Sequence, residues 1–153
     1  MALKGLIENP AFLSIISSMF VAQVLKTIIQ LLRRKTKSIR ETIEILIWKT
    51  GGMPSSHSAM VSALAASIAF MEGIDSSLFI ITLMFALIII RDALGVRRSS
   101  GIQARVLNWV GRQVSEKLNV EYHPVKEVIG HTPLEVAVGA LLGIIISAAI
   151  NFL

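Results

Sequence analysis

The run LFIITLMFALIII, Leu78 to Ile90, decides the fold class. It carries one hydroxyl, that of Thr82, and no charge. With its flanks it extends from Ser76 to Leu94, close to the roughly 20 mainly apolar residues that carry an α-helix across a bilayer. A helix that is apolar all round has no face to turn to water. Three other stretches follow the same pattern: Pro10 to Leu32, Pro54 to Met71 and Pro133 to Leu153. Pro10, Pro54 and Pro133 each sit where a first helical turn tolerates proline. The chain therefore reads as all-α, an integral membrane helical bundle of about four transmembrane helices, in one domain over residues 1–153.

The composition agrees. Hydrophobic residues make up 54% of the 153 and charged residues 16%, against about 25% charged in an average soluble domain. Mean hydropathy is +0.70. There are no cysteines, which excludes a disulfide framework and a thiolate metal site. The net charge of +5 is expected to be loop charge that sets topology and meets anionic membrane lipid, not a nucleic-acid footprint. Met1 to Asn9 has one basic residue, Lys4, and no small-residue cleavage site stands out behind it. The first helix is expected to be retained.

The second span is only weakly apolar. Its Ser55, Ser56, Ser58, Ala59, Ser62, Ala63, Ala65 and Ala66 suit a helix packed among others, because small residues let backbones approach. Gly139 and Gly143 form a small-xxx-small pair in the fourth span, a spacing that serves a helix pair within the chain or a homo-oligomer equally well. Between the third and fourth spans, Ile102, Val106, Trp109, Val110, Val114 and Leu118 recur at helical spacing, with Arg105, Asn108, Arg112 and Glu116 opposite. This predicts an amphipathic helix, either interfacial in the headgroup layer or packed on the protein itself.

Loop charge orients the chain. Arg33 to Lys49 carries six basic and two acidic residues, Glu72 to Ser77 two acids and no base, and Arg91 to His131 seven basic residues. The positive-inside rule places the first and third connections in the cytoplasm and both termini outside. The expected membrane is the plasma membrane of the cell.

That topology gathers polar residues at one depth. Lys26 lies near the cytoplasmic end of the first span. Gly51-Gly52-Met53-Pro54-Ser55-Ser56-His57-Ser58 opens the second, Arg91-Asp92 and Arg97-Arg98 close the third, and Gly130-His131-Thr132-Pro133-Leu134-Glu135 opens the fourth. Ionisable residues in spans are expensive and mark function by default. These suit phosphoryl transfer. Lys and Arg neutralise phosphate charge, a glycine turn before a helix N-terminus binds anions, and one histidine can attack phosphorus while another protonates the departing oxygen. Glu135, four residues after His131, is placed to fix its tautomer. Other readings stand beside these. Thr132-x-x-Glu135 around Pro133 matches a capping box, Gly-Gly before Pro-Ser-Ser is also an ordinary turn and cap, and Lys26 can snorkel to the interface. Asp92 can simply pair with an arginine, Arg97 and Arg98 can be topology anchors, and His123 reads as a solvated bystander.

The blocks Gly51 to Ser58, Asp92 to Arg98 with Gly101 to Ala104 and Leu107-Asn108, and Gly130 to Val136 together resemble the divergent branch of the type 2 phosphatidic acid phosphatases, the superfamily that includes vanadium haloperoxidases. The better-studied members carry Lys-x6-Arg-Pro, Pro-Ser-Gly-His and Ser-Arg-x5-His-x3-Asp. By that resemblance Pro54-Ser55-Ser56-His57 stands for the second motif, with His57 the acid. His131-x3-Glu135 stands for the end of the third, with His131 the nucleophile. Ser56 replaces glycine, Arg34 replaces the proline after Lys26-x6-Arg33, and Val125 stands where the third motif has arginine, so the phosphate clamp is expected from Lys26, Arg97 and Arg98. The resemblance implies a membrane phosphatase acting on a lipid phosphate or diphosphate through a phosphohistidine. Catalysis would rest on His131, His57, Glu135 and Asp92, and substrate binding on Lys26, Gly52, Ser55, Ser56, Arg97, Arg98 and Gln103, with no cofactor and no metal. The alternatives are a metal-dependent phosphoryl-transfer enzyme using His57, Asp92, His131 and Glu135, and a non-catalytic lipid-phosphate-binding or transport protein.

Overall fold

The computed structural model describes residues 2–32, 52–127 and 130–153. The basic connection Arg33 to Lys49, and Gly51, lie outside the described residues. The described residues form six helices in order: α1 (Ala2–Ile7), α2 (Pro10–Leu32), α3 (Ser56–Glu72), α4 (Ser77–Leu94), α5 (Val96–Leu118) and α6 (Pro133–Phe152). α2, α4 and α6 are long and apolar enough to cross a membrane. α3, with 17 residues and only weakly apolar, is not among them, so three of the about four expected spans meet that measure among the described residues. It sits in the middle, packed on α2, α4 and α6, so its neighbours meet the lipid in its place.

The helix ends have local causes. The Asn9 side chain accepts from the amides of Ala11 and Phe12 at the start of α2. Pro54 falls outside the first turn expected for it: Ser55 is the N-cap of α3 and Pro54 precedes it. Ser76 caps α4, accepting from the Phe79 amide. Thr132 caps α6 with Pro133 in the first turn. Side-chain oxygens thereby satisfy amides that the helix itself leaves without acceptors.

The interior is small and the exterior large. α2 buries Ala11, Ser14, Ser18, Ala22 and Lys26, one stripe at three- and four-residue spacing. α6 buries Val136, Gly139, Gly143 and Ser147 on a matching stripe. Phe20, Ile81, Phe85, Ile88, Leu141 and Ile145 stay exposed, which is tolerable only where the surroundings are lipid. Lipid tails give apolar helices little reason to associate, so close backbone approach and interhelical polar contacts do that work. A Cβ on Gly139 would run into the backbone of Ser55, and one on Gly143 into Ala59 and Ala63. The Gly139–Gly143 pair thus belongs to a contact within the chain. Farther along, Asn151 Nδ2 donates to Ser67 Oγ at 3.0 Å and the rings of Phe70 and Phe152 lie 4.9 Å apart. Residue numbers rise together on both helices, so α3 and α6 run parallel. Gly52 lies against Lys26 and Gln30, which makes α2 antiparallel to both, and the turn Gly73–Ser76 makes α4 antiparallel to α3. The ends of α2 and α4 and the starts of α3 and α6 meet at one end of the bundle.

α5 leaves α4 at Gly95 and, among the described helices, packs on no other. Its Ile102, Val106, Trp109, Val110 and Val114 are exposed. Of the two readings of this amphipathic helix, the structure favours the interfacial one. The other side of α5 is covered by the chain coming back. Asn119 adopts the left-handed conformation at the end of α5, after which Val120 meets Ser115, Tyr122 lies over Gly111, Val125 meets Asn108, and Gly130 packs on the backbone of Arg98.

Candidate functional site

The shared end of the bundle brings the predicted residues together. Ser55 N–H donates to the Glu135 carbonyl at 3.0 Å, locking the starts of α3 and α6. His131 N–H donates to the Ala93 carbonyl at 3.3 Å, tying α6 to the end of α4. Gly52 has φ +93°, a conformation that favours glycine, and a Cβ there would press on Gln30 Nε2 and approach the Lys26 stem. Three short backbone approaches thus hold four helix ends at one level.

His131 and Glu135 form the floor. Nδ1 of His131 lies 3.0 Å from Glu135 Oε2, with the His131 side chain 7% and the Glu135 side chain 20% exposed. With the carboxylate accepting, Nδ1 carries a proton, and the neutral form of the ring then has its lone pair on Nε2. The same Oε2 accepts from Thr132 N–H at 3.1 Å, while the Thr132 hydroxyl accepts from the Glu135 amide at 3.4 Å. The capping box and the orienting carboxylate, rival readings in the sequence, are both present, made by one oxygen. The cap holds the carboxylate still and the carboxylate holds the imidazole.

Lys26 is 2% exposed, so it does not snorkel to the surface, and its charge interacts with that of Glu135. His57 is exposed in the first turn of α3, within electrostatic reach of Arg97, His131, Lys26 and Asp92. Arg97 Nε donates to Asp92 Oδ2 at 2.7 Å, both side chains more than a third exposed. Asp92 therefore orients Arg97 and leaves the outer guanidinium donors for an anion. Arg98 is exposed, its backbone under Gly130. Ser55 and Ser56 are buried. The Ser55 hydroxyl accepts from the Ser58 hydroxyl at 3.0 Å and its amide goes to Glu135, so it fixes the start of α3. Gln103 is exposed farther along α5, bonded to Ser99 at 3.4 Å, and is not drawn into the cluster. His123 is exposed beside Glu121, as expected of a bystander. Among the described residues no group of three or more His, Asp or Glu side chains is arranged to share one metal ion.

A family model described as the divergent PAP2 family matches residues 7–146, which takes in α2 to α5, most of α6 and each of these side chains. The chain belongs to the divergent PAP2 family. A relative within reach of this divergent PAP2 protein is "Uncharacterized membrane protein YuiD" of Bacillus subtilis (strain 168), 38% identical over 158 residues, covering 96% of this chain and 97% of that one. No solved structure matches. The apolar helices and the family together make the chain a membrane PAP2-like protein.

By sequence Asn108 falls on the polar side of the amphipathic helix and in the Leu107-Asn108 block of the resemblance, neither of which gave it a role. It is 4% exposed and sits beneath the returning segment. The available signal was an uncharged amide on the basic side of an amphipathic helix, and it points to no partner, because an irregular segment has no periodicity to read.

Proposed function

We propose that this PAP2-like protein is a phosphatase of the plasma membrane that hydrolyses a lipid phosphate or diphosphate, of the polyprenyl phosphate or phosphatidate class, at a site facing the cytoplasm. The observation that carries the reading is the largely buried His131–Glu135 pair, 3.0 Å from nitrogen to oxygen, with buried Lys26 beside it. A neutral imidazole with Nδ1–H held by a carboxylate is the arrangement that presents Nε2 as a nucleophile.

In this mechanism the phosphoryl group meets Lys26, the outer donors of Arg97 and the Arg98 guanidinium, with the N-terminus of α3 and the Gly52 turn adding backbone dipoles. Nε2 of His131 attacks phosphorus and the bond from phosphorus to the leaving oxygen breaks. Protonated His57 gives that oxygen its proton. Glu135 stabilises the charge that the His131 ring acquires. Water then attacks the phosphohistidine, His57 takes a proton from it, and phosphate leaves with His131 restored. Ser55, Ser56 and Asp92 keep the binding groups in place.

The test is phosphate release from a panel of lipid phosphates by the purified protein in detergent, with His131→Ala as control. Release that depends on His131 supports the reading. Lipid-phosphate binding without release would leave a binding protein, and release abolished by EDTA would favour the metal-dependent route.

A further inference from the structure

The described residues Glu121 to Glu127, which precede His131 in the chain, form no helix. From Val120 to Glu127 the chain runs back along α5, and Asn108 is its main anchor. Asn108 Nδ2 donates to the Val125 carbonyl at 3.0 Å and to Glu127 Oε1 at 2.9 Å, and Oδ1 accepts from Val125 N–H at 2.9 Å and from the Tyr122 hydroxyl at 2.8 Å. Both donors and both lone pairs of the amide are used. An amide that bonds both the N–H and the C=O of one residue fixes the register of that residue, because a shift by one position breaks both bonds.

The surroundings reinforce the anchor. Arg105 Nε lies 3.5 Å from Glu127 Oε2. The Tyr122 ring lies where a Cβ on Gly111 would be, so only glycine lets the ring down onto the helix. The Asn108 bond, with help from Arg105 and Arg112, lowers the pKa of the Glu127 carboxyl from its ordinary value. A few residues later Gly130 packs on Arg98 and the His131 amide reaches Ala93.

We propose that Asn108 is a positioning residue for His131: by fixing the return segment against α5 it sets where His131 enters the junction of α4 and α6. The proposal rests on the phosphatase reading for its kinetic arm, but not for its structural arm. The four hydrogen bonds of Asn108 go to Tyr122, Val125 and Glu127, none of them a predicted site residue, so it acts through the chain.

The experiment compares the parent with Asn108→Leu, Asn108→Asp, and Asn108→Asp combined with Glu127→Gln, in the full-length protein in detergent. Amide hydrogen exchange is read at Val125, whose acceptor is Asn108, and at His131, whose acceptor is Ala93. Turnover of a lipid phosphate is read as kcat and KM. Asn108→Leu should speed exchange at both amides and lower kcat, toward the roughly 100-fold that a displacement of about 1 Å can cost, with KM little changed. Asn108→Asp should do the same, because a carboxylate then faces the Glu127 carboxylate. Adding Glu127→Gln restores a donor across that contact and should recover part of the protection and part of kcat. Should Asn108→Leu fail to fold, Tyr122→Phe removes one bond to Oδ1, keeps the ring on Gly111, and should show a smaller effect of the same kind. Faster exchange at Val125 with His131 exchange and kcat unchanged would reduce Asn108 to a local fastener and overturn the proposal, as would unchanged exchange at both amides. A parent that releases no phosphate would defeat the phosphatase reading alone, since exchange at His131 would still decide whether Asn108 governs its placement.

Discussion

Glu135→Gln separates the two duties of one oxygen. Oε2 of Glu135 accepts from Thr132 N–H at 3.1 Å and contacts His131 Nδ1 at 3.0 Å. A glutamine carbonyl in that place can accept from both, so cap and ring orientation survive, and Gln is at home in a capping box. What disappears is the charge opposite a developing imidazolium. Two unit charges 3.0 Å apart attract by about 5 kcal/mol at an effective dielectric of about 20. At about 1.4 kcal/mol per tenfold in rate this is an upper bound near 10⁴. Glu135 is partly exposed, so screening trims it, and we expect turnover to fall by about 10²- to 10⁴-fold. The amide change at the orienting carboxylate of a serine protease triad costs about 10⁴. The assay is phosphate release from the best lipid substrate, beside a thermal melt in detergent. Stability should move by less than the roughly 1 kcal/mol typical of losing a cap outright. Full turnover in Glu135→Gln would refute the reasoning, leaving Glu135 as a cap and His131 without a charged partner.

Gly143→Ala places a methyl against the Ala59 backbone and should destabilise the α3–α6 contact by about 1–3 kcal/mol, seen as a lower detergent melting temperature, whereas Gly5→Ala, with nothing within 4 Å, should be silent. Vanadate mimics a pentacoordinate phosphoryl group and should inhibit release competitively; turnover indifferent to saturating vanadate would count against attack by a histidine in this cluster. Cysteines at exposed Ile74 and Lys126 of this Cys-free chain lie at opposite ends of the bundle, so an impermeant thiol reagent should reach each from a different side of the membrane, Lys126 from the cytoplasm. Labelling of both from one side would contradict the bundle as a membrane-crossing unit.

Hydropathy and proline placement alone gave the spans to within a residue or two: Pro10–Leu32 as α2, Ser76 to Leu94 against Ser77–Leu94, Pro133 to Leu153 against Pro133–Phe152. A bilayer fixes the length of what crosses it, and every backbone polar group inside it must be satisfied within the helix, so length and apolarity suffice for the reading. Loop charge gave the alternation of directions, and that alternation predicted which polar residues share a depth. α3 was the least legible span, because a helix shielded by three others need not be apolar, and its alanines and serines acquire meaning only from neighbours.

Contacts between segments distant in sequence were decided by the tertiary structure. The spacing Gly139-xxx-Gly143 was compatible with any partner, and the backbone of Ser55, Ala59 and Ala63 selects one. Thr132-x-x-Glu135 left a cap and an orienting carboxylate as rivals, because a sequence names a side chain without saying which of its lone pairs is used; the fold gives both bonds to Oε2. Asp92 belongs to Arg97 because Gly95 ends α4 between them and brings the two side chains into reach. Asn108 was legible as a polar-face residue and as part of a motif block, but its role was not, since its four hydrogen bonds reach a segment with no periodicity, and only the return of the chain along α5 puts acceptors and donors where that amide can use them.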